Sequence, residues 1–257
     1  MNNESNSWNQ YGKFLLALAI VLGITSLAMN LLSHALESQE TPQASAESEF
    51  WLAEEKTNVI NILAAGGIQP CSEATPEGVF SGLGNLVNNY ELSAVSFRAL
   101  VGTNTSSAFA NQVQEVGFDL FGLAYPGVHA YGKDAIDSSM AYWNNTNVRT
   151  NGTFSSTDEK NILRIAEENG ISAVYLSYTD TLDDELPENE TYLVNVYDDE
   201  KTPLFVNKAA EQADIVIVSI AWEGGQGALP NDRQKEIAQA LTGAGASIII
   251  GYADKAV

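Results

Sequence analysis

Basic residues, cysteine and histidine are all scarce in this chain of 257 residues. Twelve Lys and Arg side chains stand against 33 Asp and Glu, so the formal net charge is −21. Binding to a phosphate backbone depends on clustered Lys and Arg, and this balance therefore argues against nucleic acid as a partner. The lone cysteine, Cys71, rules out an intramolecular disulfide and a CxxC metal site. Two histidines, His34 and His129, leave little imidazole for catalysis or metal binding.

One long apolar run lies near the N-terminus. Residues 14–32 carry no charge, and a helix of this length can cross a hydrocarbon layer of about 30 Å. We predict a single-pass anchor in the cell membrane, with residues 1–13 in the cytoplasm and the domain outside it. Lys13 precedes the run and acidic residues follow it, which favours this orientation. The alternative is a signal peptide cleaved at the small residues of 33–35, which would leave a secreted domain.

A polar linker over 33–57 precedes a single predicted domain over 58–257. The linker is rich in Gln, Ser, Thr and Glu, as expected of a tether. In the domain, apolar runs typical of strands alternate with segments typical of helices, which predicts a layered α/β fold with a partly parallel sheet. The predicted strands are 59–65, 92–101, 118–124, 162–166, 171–178, 215–220 and 247–250, with a further candidate at 193–197; the predicted helices are 76–89, 106–116, 133–143, 203–212 and 232–241.

Two local patterns refine this prediction. The sequence Glu168-Asn169-Gly170 joins two of the predicted strands and is typical of a β-hairpin. The stretch 144–158 is rich in turn-forming residues, so we predict turns there.

Several short motifs follow one another in a fixed order through the domain. They are GFD at 117–119, YG at 131–132, NGI at 169–171, ADIVIVS at 213–219 and GAGA at 243–246, followed by IIIG at 248–251. In this order and spacing, residues 58–257 resemble the CapA family, the poly-γ-glutamate capsule biosynthesis proteins of bacteria, whose domain is similar to calcineurin-like metallophosphatases. The resemblance implies an α/β/β/α sandwich, a link to capsule or cell-envelope polymer synthesis, and divalent metal ions as cofactors. It also implies further strands after Val257, so we expect the chain to be truncated there.

The positions where this resemblance implies metal ligands carry other residues. The Gly-Asp after the first strand is Gly66-Gly67 here, and the histidines of the last two motifs are replaced at positions such as Ala221 and Ala253. His129 lies two residues beyond the position that the resemblance implies for a histidine. The full set of altered positions is Gly67, Ser96, Arg98, Gly127, Ala130, Ala221, Gly225, Ala253 and Lys255.

These replacements argue against metal-dependent catalysis. Two metal ions about 3.5–4 Å apart need several fixed ligands to offset their mutual repulsion, and Gly and Ala supply none. Arg98 and Lys255 add positive charge instead. We therefore expect no catalytic residue and no cofactor, and we interpret the chain as a pseudoenzyme that binds or scaffolds. Its expected partners are membrane proteins of cell-envelope or capsule synthesis, or an envelope polymer. The alternative is an active metal-dependent, phosphatase-like hydrolase of the same family.

Four further side chains are candidates to line a cleft at the strand ends: Tyr125, His129, Trp222 and Tyr252. Tyr125 and Trp222 could stack on a sugar or a peptide, although a packing role for Trp222 is at least as good an explanation. His129 could act as a general base with Asp134 or Asp137, whereas a lone histidine near a helix start is more often structural.

Overall fold

The structure is a computed structural model that describes residues 58–70, 80, 82–222 and 229–253. These residues belong to one compact unit, Asn58–Val257. The predicted anchor at 14–32 and linker at 33–57, together with Cys71, Gly225 and Lys255, lie outside the described residues. Within the described ranges, every helix is too short or too polar to span a bilayer.

The first sheet contains four parallel strands that pair in chain order. Helices connect its strands, as parallel pairing requires. The second of these helices is capped at its N-terminus by Ser106, whose hydroxyl accepts a hydrogen bond from the backbone N–H of Phe109. The strands are β1 (Ile62–Ile68), β2 (Leu92–Phe97), β3 (Leu120–Gly122) and β4 (Arg149–Asn151), and the helices are α1 (Leu83–Val87), α2 (Ser107–Glu115) and α3 (Gly132–Trp143).

The second sheet is mixed. Its first two strands form an antiparallel hairpin, and the next two pair in parallel with the second of them. The hairpin turn is Asn169-Gly170, and both residues have positive φ, 53° and 78°, as a tight two-residue turn requires. The strands are β5 (Ile165–Glu168), β6 (Ile171–Thr179), β7 (Ile215–Trp222) and β8 (Ile248–Ala253), and the helices are α4 (Thr157–Lys160), α5 (Lys201–Ala210) and α6 (Asp232–Gly243).

Three apolar clusters show how the layers stack. Leu120 of β3 and Ile217 of β7 belong to one cluster that joins the two sheets. On the outer face of the first sheet, the rings of Phe97 and Phe121 each lie 5.1 Å from that of Trp143 in α3. On the outer face of the second sheet, residues of α5 and α6 pack against β6 and β7. The order is therefore helices, sheet, sheet, helices.

The α/β prediction and the predicted hairpin are confirmed, whereas two local predictions are wrong. The turn-rich stretch contains β4, whose sequence Arg-Thr-Asn has no apolar pattern and which is extended because it pairs with β3. The candidate strand at 193–197 forms only isolated bridges, from Val194 to Thr153 and from Val196 to Thr179. Both errors have the same cause, because pairing with a distant strand decided the local conformation.

The two sheets approach each other closely at Gly122. A Cβ atom at this position would lie 2.5 Å from the hydroxyl of Tyr175 and 2.8 Å from that of Ser177. Both hydroxyls belong to β6 of the second sheet. A side chain at residue 122 would therefore force the sheets apart.

We predict that Gly122→Ala lowers the free energy of unfolding by about 1–3 kcal/mol, because it overpacks the space between the sheets. Urea denaturation of the full chain measures the change. Gly243→Ala is the matched control, since a Cβ there meets no atom within 4 Å and alanine favours the helix. Equal losses in the two variants would contradict the proposed close approach.

Candidate functional site

The carboxyl ends of strands from both sheets meet at one edge of the sandwich. A Cβ on Gly67 of β1 would lie 2.8 Å from Cδ of Arg98, after β2, and 3.8 Å from a ring carbon of Tyr252 in β8. The hydroxyls of Ser96 and Ser177 lie close enough to Tyr252 to influence its ionisation. We call Ser96, Arg98, Ser177 and Tyr252 the strand-end cluster. The structure thus brings together positions that the sequence assigned to one site from separate motifs.

Strand alternation decides which neighbours face this cluster. Residues of one parity in β7 and β8 point between the sheets, and those of the other parity point to the helices. Ala221 and Tyr252 are on the side between the sheets and pack with the core of the first sheet. Trp222 packs with the core of the second sheet and its helices, with its indole directly over Gly251. Trp222 and Ala253 are therefore directed away from the strand-end cluster.

Tyr252 closes the space between the sheets. Its hydroxyl donates a 2.9 Å hydrogen bond to the carbonyl oxygen of Ala124, which joins β8 to the segment after β3. Burial raises the pKa of Tyr252, and the Ser96 hydroxyl, the Arg98 guanidinium and the Ser177 hydroxyl oppose that rise. The phenol is therefore neutral at physiological pH and acts as a hydrogen-bond donor.

Arg98 places a fixed positive charge in the cluster. Its guanidinium carbon lies 5.8 Å from the ring centroid of Tyr125, in a cation–π arrangement. Burial lowers the pKa of Arg98, while Tyr252, Tyr125 and Asp183 act in the opposite direction. Arginine nevertheless keeps its charge in proteins, so a charged guanidinium lies at this edge of the sandwich.

A layer of buried polar groups lies beneath the strand-end cluster. Asn151 Oδ1 accepts hydrogen bonds from the backbone N–H of Ser177, at 2.8 Å, and from Nδ2 of Asn195, at 3.1 Å. The hydroxyls of Tyr175 and Ser219 are 2.9 Å apart. Sequence reasoning missed Asn151, Tyr175, Ser177 and Asn195, although polar residues at alternate positions of the buried strand β6 were a usable signal.

Two serine hydroxyls of this region lie near the Tyr252 phenol without a well-aligned hydrogen bond. Ser96 Oγ and Ser177 Oγ are buried and make no well-aligned hydrogen bond with any other described residue. An unpaired buried hydroxyl is costly. Both hydroxyls are neutral, and a neutral hydroxyl binds a cation much more weakly than a carboxylate does.

The donor set of the strand-end cluster does not fit the two-metal site that the family resemblance implies. It consists of two serine hydroxyls, a phenol and a guanidinium, and it contains no carboxylate or imidazole. Across the described residues, no group of three or more His, Cys, Asp or Glu side chains is positioned to hold a metal ion. We therefore derive no reaction step through a metal at this edge.

His129 lies in a short 3-10 turn, Pro126–His129. Its nearest charged partner is neither Asp134 nor Asp137, the two aspartates suggested by the sequence. Its Nε2 is 3.6 Å from a carboxylate oxygen of Glu190. Asp137 instead pairs with Lys133 on α3. The arrangement of His129 with an aspartate as a general base is therefore absent from the described contacts.

The remaining predicted positions, Tyr125, Gly127 and Ala130, differ in how much surface they offer to a ligand. Tyr125 is only 7% exposed, and burial, the largest influence, raises its pKa to about 12. Gly127 lies against Asp183, whose carboxylate oxygen would be 3.1 Å from a Cβ at that position. Ala130 is exposed and follows the 3-10 turn.

Comparison with known proteins identifies relatives of this domain. Residues 81–253 match the family model described as "Bacterial capsule synthesis protein PGA_cap". A segment of 150 residues, 58% of this chain, is 26% identical to "PGA biosynthesis protein CapA" of Bacillus subtilis (strain 168). That segment covers 40% of the relative, so the chain spans less than half of the relative's length. A crystal structure of a hypothetical protein from Thermus thermophilus is similar with a TM-score of 0.46 and 16% identity, over 75% of this chain and 67% of that one.

We predict that Tyr252→Phe lowers the free energy of unfolding by about 1 kcal/mol, because the Ala124 carbonyl loses a hydrogen bond. Burial raises the pKa of Tyr252 above its value in the unfolded chain, about 10. The stabilisation is therefore present below pH 10 and is lost as the pH rises further. Urea denaturation at pH 7 and above pH 10 measures both effects.

The matched control is Tyr131→Phe, since Tyr131 is 53% exposed. This control should unfold like the unmodified chain at both pH values. If Tyr252→Phe also did so, the phenol would not join β8 to the first sheet in the way described.

Proposed function

The chain belongs to the bacterial capsule synthesis protein family PGA_cap, and we propose that it takes part in capsule or poly-γ-glutamate biosynthesis as a non-catalytic member that binds or scaffolds other components. The family match and the relative named as a PGA biosynthesis protein support the process. The strand-end cluster supports the non-catalytic role. We infer in addition that the domain keeps the layered arrangement of the metallophosphatases that the CapA resemblance implies.

The observation that carries the proposal is the position of Arg98 among the residues that would otherwise hold cations. A unit positive charge about 4 Å from the guanidinium would be repelled by about 4 kcal/mol at an effective dielectric constant of about 20. The repulsion doubles for a divalent ion. The hydroxyls of Ser96, Ser177 and Tyr252 are neutral and add no negative charge that would attract the ion. A metal-bound water, the usual nucleophile of such hydrolases, thus has no support here.

The charge of the chain favours a protein partner. A chain with a net charge of −21 repels an acidic polymer within about a Debye length, which is about 8 Å at physiological salt. Protein partners avoid this difficulty if they present basic or neutral surfaces. We therefore propose that the chain binds membrane proteins of capsule or envelope synthesis and does not bind a polyanion directly.

We propose that residues 14–32 anchor the chain in the cell membrane with its domain outside. If residues 14–32 are an anchor, we expect the full chain to stay in the bacterial membrane fraction after an alkaline carbonate wash. We also expect that a variant without residues 14–32 is not retained in the membrane fraction. A secreted chain whose N-terminus begins just after 33–35 would instead establish a cleaved signal peptide.

Metal titration tests the non-catalytic role. We expect that the full chain binds no stoichiometric Mn²⁺, Mg²⁺ or Zn²⁺ at about 0.15 M salt, where diffuse binding to an acidic surface is screened. We also expect no chelator-sensitive hydrolysis of bis(p-nitrophenyl) phosphate or of γ-glutamyl substrates. Calorimetry and product release measure the two quantities.

The variant Arg98→Met separates a strand-end site from surface binding. If a cation were held beside the cluster, loss of the guanidinium would remove repulsion and tighten the binding. Weak binding that stays the same in this variant belongs to acidic side chains elsewhere. Stoichiometric metal together with turnover abolished by a chelator would establish the competing function, a metal-dependent hydrolase.

A further inference from the structure

A cavity of about 500 Å³ lies on the helix-facing side of the second sheet. Its walls come from α4, the start of α5 and the segment before α5. Tyr178 of β6 lines it, and the neighbouring Ser177 points to the opposite face of the strand. The cavity is thus separated by the sheet from the strand-end cluster. The side chains that matter for its chemistry are Lys160, Tyr178, Tyr192, Tyr197, Lys201 and Phe205.

Lys160 supplies a half-buried positive charge to this cavity. Its ammonium donates 2.9 Å hydrogen bonds to the carbonyl oxygens of Thr191 and Val194. An ammonium group has three N–H donors, so one remains. Among the described residues no carboxylate lies within ion-pair distance of Lys160, and burial together with nearby Lys201 lowers the pKa of Lys160 to about 8. The positive charge therefore lacks a compensating anion.

The charges that line the cavity do not balance. Lys160 and Lys201 contribute two positive charges, and Asp198 contributes one negative charge. The Asp198 carboxylate already accepts hydrogen bonds from the backbone N–H groups of Glu200 and Lys201 at the start of α5. Its other oxygen is 3.6 Å from the Lys201 ammonium. One excess positive charge remains, in a chain whose net charge is −21.

The other walls of the cavity are mostly aromatic and aliphatic. Rings of Tyr178, Tyr192 and Phe205 line it, together with aliphatic residues such as Leu186. Tyr197 also lines it and has a buried hydroxyl without a hydrogen-bond partner among the described residues. The volume lies in the range of about 300–1,000 Å³ that is typical of small-molecule sites. Such walls suit a ligand with an apolar or aromatic body.

We propose that this cavity binds a small organic monoanion, a carboxylate attached to an apolar or aromatic body. The carboxylate contacts the remaining N–H of Lys160 and the Lys201 ammonium, and the body packs on the tyrosine and phenylalanine rings. A single excess charge matches a carboxylate better than a phosphate dianion. The proposal goes beyond the function proposed above and does not rest on it.

Binding of 2-naphthoate to the full chain tests this site, with 2-naphthamide as the neutral compound of the same shape. Ligand-observed NMR titration at pH 7 gives the two dissociation constants. We expect a Kd of about 1 mM or lower for the carboxylate and at least about tenfold weaker binding of the amide. Equal affinities for the two compounds, or no binding of either, would overturn the proposal.

Two lysine variants locate the binding. Lys160→Met and Lys201→Met should each weaken naphthoate binding by about fivefold or more, since charge-assisted hydrogen bonds are strong. The Lys201 side chain is 86% exposed, so this variant tests the site even if Lys160→Met unfolds. Lys235→Met is the matched control, because Lys235 is exposed on α6 and pairs with Asp232. Unchanged affinity in Lys201→Met, or an equal loss in Lys235→Met, would contradict the assigned site.

The pH dependence gives a second readout. Because the pKa of Lys160 is lowered to about 8, naphthoate affinity should fall between pH 7 and pH 9.5, whereas Lys160→Arg should retain it. The other titratable groups that line the cavity are Lys201, Asp198, Tyr178, Tyr192 and Tyr197. Burial raises the pKa of Tyr178 and of Tyr197, and the backbone hydrogen bond from Lys201 is the main cause that lowers that of Asp198. Affinity that is constant up to pH 9.5 in the unmodified chain would contradict a role for Lys160.

Discussion

The close packing of two sheets through Gly122 is the constraint on which the rest of the described structure depends. The backbone of β3 can approach the hydroxyls of Tyr175 and Ser177 only because residue 122 has no side chain. Sheets packed in this way bring the carboxyl ends of β1, β2 and β8 to one edge. Without that approach, the polar residues of the strand-end cluster would not share a site.

In our proposal, the residues at that edge explain how a fold can be kept while its chemistry changes. Tyr252 joins the sheets by a hydrogen bond to Ala124, and Arg98 stacks on Tyr125. Both side chains lie near positions where the CapA resemblance implies metal ligands. In our proposal the family's fold thus supports binding, while the outer face of the second sheet carries a separate cavity with an unbalanced positive charge.

Much of the fold could be predicted from local sequence patterns, and much of the candidate site could not. The Asn169-Gly170 turn and the alternation of strands and helices predicted the hairpin and the α/β fold, because both depend on local backbone preferences. The motif order correctly predicted the family. By contrast, β4 and the bridges of Val194 and Val196 depend on pairing with distant residues, which no local pattern encodes. The cavity was missed for the same reason, since its two lysines, Lys160 and Lys201, lie 41 positions apart in the chain.

The sequence by itself determined the acidic charge, the scarcity of imidazole and the residue types at the altered positions, because these are properties of composition and order. Only the tertiary structure decided that Arg98 and Tyr252 lie together and that Trp222 is directed to the helices. It also decided that Lys160 donates hydrogen bonds to two carbonyl oxygens, with no carboxylate of the described residues within ion-pair distance. Strand pleat and sheet packing set these relations. They arise between residues far apart in the chain, and burial then decides the charge each group can carry.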